Sequence, residues 1–164
     1  MTESTVRIGL VLPDVMGTYG DGGNAVVLRE RLRLRGIDAE VVEITLADPV
    51  PDSLDLYTLG GAEDYAQRLA TKHLIQYPGL QRAAERGAPV LAICAAIQVL
   101  GHWYETSSGE RVDGVGMLDV TTSPQPKRKL MPWPGRISMH SSAHNKSTRR
   151  SPTSKDASTN RGNR

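Results

Sequence analysis

Residues 89–101, Pro-Val-Leu-Ala-Ile-Cys-Ala-Ala-Ile-Gln-Val-Leu-Gly, decide how the chain is read. The run from Pro89 to Ile93 is short and continuously apolar, the pattern of a strand buried on both faces of a parallel sheet. Ala95 to Trp103 carries Ile97, Val99 and Leu100 and reads as a helix. Cys94 falls at the junction, and Ala95 and Ala96 beside it are small enough for a tight strand-to-helix turn. Such a turn pushes a side chain into a cleft, and a following helix N-terminus favours thiolate, so Cys94 is a candidate nucleophile. The competing reading is packing, because a lone cysteine beside a core strand is among the most frequently buried residues.

Working outward, strand and helix alternate. Val6 to Leu12 is an apolar run ended by Pro13-Asp14, and a Gly-rich loop (Gly17 to Gly23) follows. Asn24 to Arg35 has a helical pattern, with Asn24 as N-cap and Gly36 as terminator. Ala39 to Ile44 and Leu54 to Leu59 read as strands, Asp64 to Gln76 and Leu80 to Arg86 as helices, and Val115 to Val120 as a further strand. This order predicts an α/β fold, a doubly wound three-layer sheet whose ligands gather at the carboxyl ends of its strands. The Gly17 loop, Gly60-Gly61 and Cys94 all fall at such ends.

The 164 residues suit one domain, and 38% hydrophobic residues without a single Phe leave Val, Leu, Ile and Ala to fill the core. No stretch approaches the ~18 apolar residues that cross a bilayer, so no membrane insertion is expected. The start of the chain lacks a signal-peptide pattern, which places the protein in the cytoplasm. A single cysteine excludes an internal disulfide framework and any multi-thiolate metal site. Charge divides the chain: residues 1–123 hold ten basic and seventeen acidic residues, a net of −7, whereas residues 124–164 hold ten basic residues and only Asp156, a net of +9. The second segment, rich in Ser, Pro, Lys and Arg, reads as a basic, disordered tail appended to a partial domain over 1–123. Its runs at Lys127-Arg128-Lys129 and Arg149-Arg150 are solvated charge or a nonspecific attractor of nucleic acid or anionic membrane; no specific nucleic-acid reader is expected.

Several smaller features carry alternatives. Gly60-Gly61 at a strand end offers backbone N–H groups to an oxyanion developing on attack by Cys94, or is simply a turn. Gly20-Asp21-Gly22-Gly23-Asn24-Ala25 satisfies G-x-G-x-x-A, with Glu40 and Glu43 as ribose partners, and so raises a dinucleotide-binding oxidoreductase. Against it, Pro13 to Tyr19 separate the strand from the first glycine. Glu63 and Asp64 read as the charged first turn of a helix. His73 and His102 have no metal-ligand spacing, and no metal or cofactor is expected.

Taken together, 59–67 (Leu-Gly-Gly-Ala-Glu-Asp-Tyr-Ala-Gln), 89–101, 14–24 (Asp-Val-Met-Gly-Thr-Tyr-Gly-Asp-Gly-Gly-Asn) and Gly114 to Asp119 resemble the class I, cobyric-acid-synthase-like glutamine amidotransferases. Within that family the resemblance points to the glutaminase subunits of lipid II isoglutaminyl synthase. It covers residues 6 to about 123 and implies the flavodoxin-like sheet of class I amidotransferases, incomplete at its C-terminal end. It also implies a glutaminase in which the cysteine attacks the amide of L-glutamine, forms a thioester and releases ammonia. The ammonia passes to a Mur-ligase-like partner, MurT, which amidates D-glutamate in lipid II during peptidoglycan biosynthesis. By that resemblance Cys94 matches the nucleophile, the backbone around Gly60, Gly61 and Ala95 the oxyanion site, and Gln98 the nucleophile motif. Arg128 stands at the offset of a glutamine-binding arginine, whose planar guanidinium suits a carboxylate. Two departures stand out. Ala95 replaces a common Gly, and nothing after Ser123 resembles the strands and Tyr-x-His-Gly-type segment that supply the base, leaving only His140 and His144 downstream. The abrupt change at Pro124 suggests a replaced tail, by a reading-frame change, and a chain that is weakly active or a noncatalytic, partner-binding remnant.

Overall fold

The computed structural model describes residues 5–18 and 21–124. Strand and helix alternate as expected: β1 (Val6–Val11), α1 (Gly22–Arg33), β2 (Ala39–Ile44), β3 (Leu56–Leu59), α2 (Asp64–Gln76), α3 (Gly79–Glu85), β4 (Val90–Ala92) and α4 (Ala96–Leu100). The four strands form one parallel sheet in the order β2-β1-β3-β4. Three short strands, β5 (Trp103–Glu105), β6 (Arg111–Asp113) and β7 (Thr121–Thr122), make a second sheet in the order β6-β5-β7.

Side-chain alternation along β1 and β3 builds two apolar layers, which gives the expected three-layer arrangement. Ile8 and Leu10 join Leu56, Ala25, Leu28 and Leu32 on the α1 side. Val11, Tyr57 and Leu59 join Ala70, Leu74, Leu80, Ala83 and Val99 from α2, α3 and α4 on the other. With no Phe available, Tyr57 is the largest fully buried side chain beneath those helices. Its hydroxyl donates to the Pro51 carbonyl (2.7 Å) and accepts from the Leu54 N–H (3.1 Å), so the phenol enters the core without an orphaned polar group. Gly9 makes room for it, since a Cβ there would lie 2.9 Å from both the Tyr57 ring and Leu54.

The strand order places β2 on one side of β1 and β3 on the other, so the chain reverses its direction of winding between β1 and β3. A crevice opens at such a reversal, at the carboxyl ends of the strands. The loop after β1, the glycine pair after β3 and Cys94 after β4 all emerge there.

Three elements depart from the sequence reading. The helix after β1 begins at Gly22, with Asp21 rather than Asn24 at its N-cap. The helix after Cys94 stops at Leu100 because Gly101 takes an extended conformation, and residues 103–105 form β5. The apolar run 115–120 is not a strand; its N–H groups at Val115, Gly116 and Leu118 donate to the carbonyls of Val99, Gly101 and Leu100. Those C-terminal carbonyls of α4 have no partner within the helix, and satisfying them competes successfully with strand pairing. Gly101 permits the approach, since a Cβ there would stand 2.7 Å from the Val120 carbonyl. β4 differs in its setting rather than its type. It lies at the sheet edge with Leu91 exposed, although its composition reads as a central strand.

Among the described residues no helix is long and apolar enough to cross a membrane. The segment read as a disordered tail lies, apart from Pro124, outside the described residues, as do Arg128, His140 and His144.

Candidate active site

The β4–α4 junction turns within very few residues. Ile93 donates the last ladder bond to Leu59 (3.0 Å), Cys94 adopts φ +56, and the N–H groups of Ala96 and Ile97 already fold back onto the carbonyls of Ile93 and Cys94. A left-handed conformation costs a non-glycine residue about 1–2 kcal/mol, and surrounding structure must hold it there. Ala96 is fully buried under the turn, while Cys94 itself is exposed. The backbone therefore spends strain to hold a thiol outward, the geometry of a nucleophile elbow and the opposite of a packed core cysteine.

The glycine pair completes the corner. A Cβ on Gly61 would lie 2.9 Å from the Cys94 Cβ, 3.1 Å from its Sγ and 3.3 Å from the Ala95 nitrogen. A Cβ on Gly60 would collide with the Met16 carbonyl and with the Asp21 side chain. Both glycines are buried, and both are required by the close approach of neighbouring chain. The loops after β1, β3 and β4 thus meet at one point.

Hydrogen-bonding capacity at this point is unequal. The Gly61 N–H donates to Asp21 Oδ2 at 2.7 Å in a buried contact. The Ala95 N–H makes no hydrogen bond among the described residues. Of the two backbone donors expected to face an oxyanion, Ala95 is open and Gly61 is engaged by a carboxylate.

Gln98, on α4, is partly buried and lines an open cavity of about 400 Å³ together with Glu63, Asp64, Glu105 and Thr122. Cys94 is not among the residues lining that cavity. Neither described histidine touches Cys94. His73 is buried on α2 against the Asp48 carbonyl (2.9 Å), and His102 pairs with Asp119 (3.1 Å) beyond the far end of α4.

The remaining alternatives fare as follows. Glu40 is bound to Arg7 (3.2 Å) at the start of the sheet. Asp21 heads α1, where a dinucleotide would bring its pyrophosphate, and two anions at one helix start repel. Among the described residues no cluster of His, Cys, Asp or Glu has the makings of a metal site.

Asp21 is the residue that sequence reasoning passed over. It appears there only as a variable position in a glycine-rich run. An acid immediately ahead of a helix is the ordinary mark of an N-cap, and that reading alone gives no hint of a contact forty residues away.

An exposed, left-handed cysteine after β4, set against the glycine pair after β3, lies at the carboxyl ends of a parallel sheet in an α/β protein. Residues 7–151 match the CobB/CobQ-like glutamine amidotransferase domain, and the chain belongs to that family. The chain is similar to the lipid II isoglutaminyl synthase (glutamine-hydrolyzing) subunit GatD of Staphylococcus aureus, 39% identical over 120 residues that make up 71% of this chain and 49% of that protein. The GatD subunit of Streptococcus pneumoniae is 28% identical over 137 residues, 82% of this chain and 52% of that one. A cobyric acid synthase of Brucella anthropi is 29% identical over 100 residues, 56% of this chain and 20% of that protein. The chain thus spans about half the length of the GatD relatives it matches. The family match also runs past Ser123 into the basic segment.

Proposed function

We propose that this chain is a glutaminase subunit, with Cys94 as nucleophile and L-glutamine as substrate. The single observation that carries the reading is the exposed, left-handed Cys94 held against Gly61, in a chain of the glutamine amidotransferase family. In this mechanism the Cys94 thiolate attacks the side-chain amide carbon and the carbonyl electrons move onto oxygen. The Ala95 N–H is the open backbone donor beside that oxygen. Collapse expels ammonia once the nitrogen has gained a proton, leaving a thioester on Sγ. Water then hydrolyses the thioester, giving glutamate and the free thiol, so glutamine and water become glutamate and ammonia. Arg128 is proposed to hold the glutamine carboxylate, and Gln98 to support the elbow from α4.

The proposed fate of the ammonia draws support from the relatives' names. Two relatives named as GatD subunits of lipid II isoglutaminyl synthase support a partner subunit and a role in lipid II amidation; a Mur-ligase-like MurT as that partner and D-glutamate as the amidated residue are part of this proposal. In that role the chain works in the cytoplasm within a heterodimer. A second reading, a partner-binding subunit that does not turn over, is favoured by the engagement of both described histidines away from Cys94. Ammonia release from glutamine, measured for the chain and for Cys94→Ala with and without the ligase, separates the readings. Release that disappears with the thiol supports the first; equal release from both proteins removes it.

A further inference from the structure

We propose that the outward face of α1 is a docking surface for an anionic lipid bilayer, where Arg31 and Arg35 hold phosphate-bearing headgroups while Val26, Val27 and Leu34 enter the headgroup–acyl boundary. The proposal is independent of the chemistry at Cys94.

A helix lying on a sheet ordinarily buries one apolar stripe and turns a polar face to water. α1 buries its stripe as expected, with Ala25, Leu28 and Leu32 packed among Ile8, Leu10 and Ala39. At about 100° per residue, Val26, Val27 and Leu34 fall on the opposite side, and that side is apolar as well. Leu34 is 87% exposed and Val27 54%; Val26 is exposed too, as is Ile37 just past the closing Gly36. Four of the ten large hydrophobic side chains exposed among the described residues therefore lie within twelve consecutive positions. Scattered single exposures need no explanation, whereas a concentration of them marks an interaction surface.

Charge singles out the same helix. Residues 22–36 carry Arg29, Arg31, Arg33 and Arg35 against Glu30 alone, a net of +3, whereas the remainder of residues 1–123 carries six basic and sixteen acidic residues, a net of −10. Glu30 is already held by Arg29 (2.8 Å) and Arg33 (3.5 Å). Arg31 and Arg35 have no carboxylate partner among the described residues, and Arg35 reaches only the Arg31 carbonyl (2.8 Å). Two guanidiniums thus stand uncompensated beside exposed apolar side chains.

The occupant follows from this mixture. A second copy would bring two faces of like charge together, which repel. The core of a protein–protein interface is depleted of charge, yet here Arg29, Glu30, Arg31 and Arg33 interrupt the apolar positions. The boundary of an anionic bilayer accommodates both kinds of group: apolar side chains sink into it, while guanidiniums on long stems stay level with the phosphates and bond them bidentately. Such docking is adsorption, since the twelve residues of α1 are too few to cross a bilayer.

The test is co-sedimentation of the full-length chain with vesicles of mixed phosphatidylglycerol and phosphatidylcholine, and with vesicles of phosphatidylcholine alone. Three variants are compared with the wild type: Leu34→Ser, the pair Arg31→Gln with Arg35→Gln, and the pair Arg82→Gln with Arg111→Gln, which removes the same charge elsewhere. All substituted side chains are exposed or partly so, and thermal unfolding verifies that each variant folds. The wild type should partition onto the anionic vesicles at least about tenfold more strongly than onto the neutral ones. Loss of Arg31 and Arg35 should weaken that partitioning by more than about tenfold, an arginine at the lipid surface being worth about fivefold. Leu34→Ser should weaken it by about threefold or more, and this loss should persist in high salt, which screens charge but not apolar burial. The control pair should bind as the wild type does. Equal weakening by the two arginine pairs overturns the proposal, because binding then follows total charge, the basic C-terminal segment included; wild-type binding by Leu34→Ser overturns it as well. Failure of the wild type to sediment with anionic vesicles also overturns it, and would leave the face to an acidic protein partner.

Discussion

Gly61 and Cys94 share a corner that holds only one side chain: a Cβ on residue 61 would stand 2.9 Å from the Cys94 Cβ and 3.1 Å from its Sγ. The free space beside the Cys94 thiol is therefore the side chain that Gly61 does not have. Gly61→Ala should fold with a local shift of the elbow, because its nearest atom, the Cys94 Cβ, is fixed to the backbone and must give way. Its ammonia release should nevertheless drop by at least about tenfold, as the added methyl takes the place of the entering carbonyl. Glutaminase assay alongside thermal unfolding checks this; wild-type turnover in Gly61→Ala would remove the assignment of that space.

Strain at the elbow should be visible as stability. Cys94 holds φ +56, and replacing it by glycine relieves about 1–2 kcal/mol of left-handed strain against a glycine entropy cost of about 0.5–1 kcal/mol. Cys94→Gly is expected to unfold at the same urea concentration as the wild type or a higher one while losing all thiol chemistry. Cys94→Ala keeps the strained backbone and should gain nothing. A Cys94→Gly protein markedly less stable than Cys94→Ala would show that the elbow is not strained.

Removal of one buried oxygen should also register. The Tyr57 hydroxyl bridges the Pro51 carbonyl and the Leu54 N–H beneath the sheet. Tyr57→Phe leaves both backbone groups without that partner, at about 1–3 kcal/mol. Urea unfolding measures the loss, and near-neutral behaviour would mean that other groups reach the two backbone atoms.

The ion pair between α2 and the β5–β6 connection gives a pH signature. Arg68 contacts Glu110 through two hydrogen bonds, of 2.7 and 2.5 Å, and this guanidinium holds the Glu110 carboxyl below its usual range. Since the folded form has the lower pKa, the pair contributes above the unfolded carboxylate pKa and its contribution fades as pH falls through the folded one. Wild type and Glu110→Gln should thus differ near neutrality and converge in acid. The difference should be small, because the pair is solvent-exposed and screened. A gap that widens on acidification would contradict the assigned direction.

Much of the architecture was legible because it depends on short-range pattern. Val6–Val11, Ala39–Ile44 and Asp64–Gln76 announce themselves by apolar period and by the glycines and acids that bound them. The candidate nucleophile was legible too, from a cysteine at a strand end beside two alanines. Residues 115–120 were misread because an apolar run carries no mark of whether its N–H groups will pair with a strand or with the open end of a helix. Asp21 was missed for a related reason: a residue inside a glycine-rich run carries no mark that its carboxylate will accept the Gly61 N–H.

The amino-acid sequence by itself determined that a parallel α/β sheet forms and that Gly60, Gly61 and Cys94 fall at strand ends, since periodicity and turn chemistry act over a few neighbouring residues. Only the tertiary structure decided that these ends converge, that the thiol faces outward in a left-handed turn, and that Asp21 closes on Gly61. Those outcomes follow from the order β2-β1-β3-β4, which brings the loop after β1 beside the loop after β3, and from contacts between residues some thirty to forty positions apart.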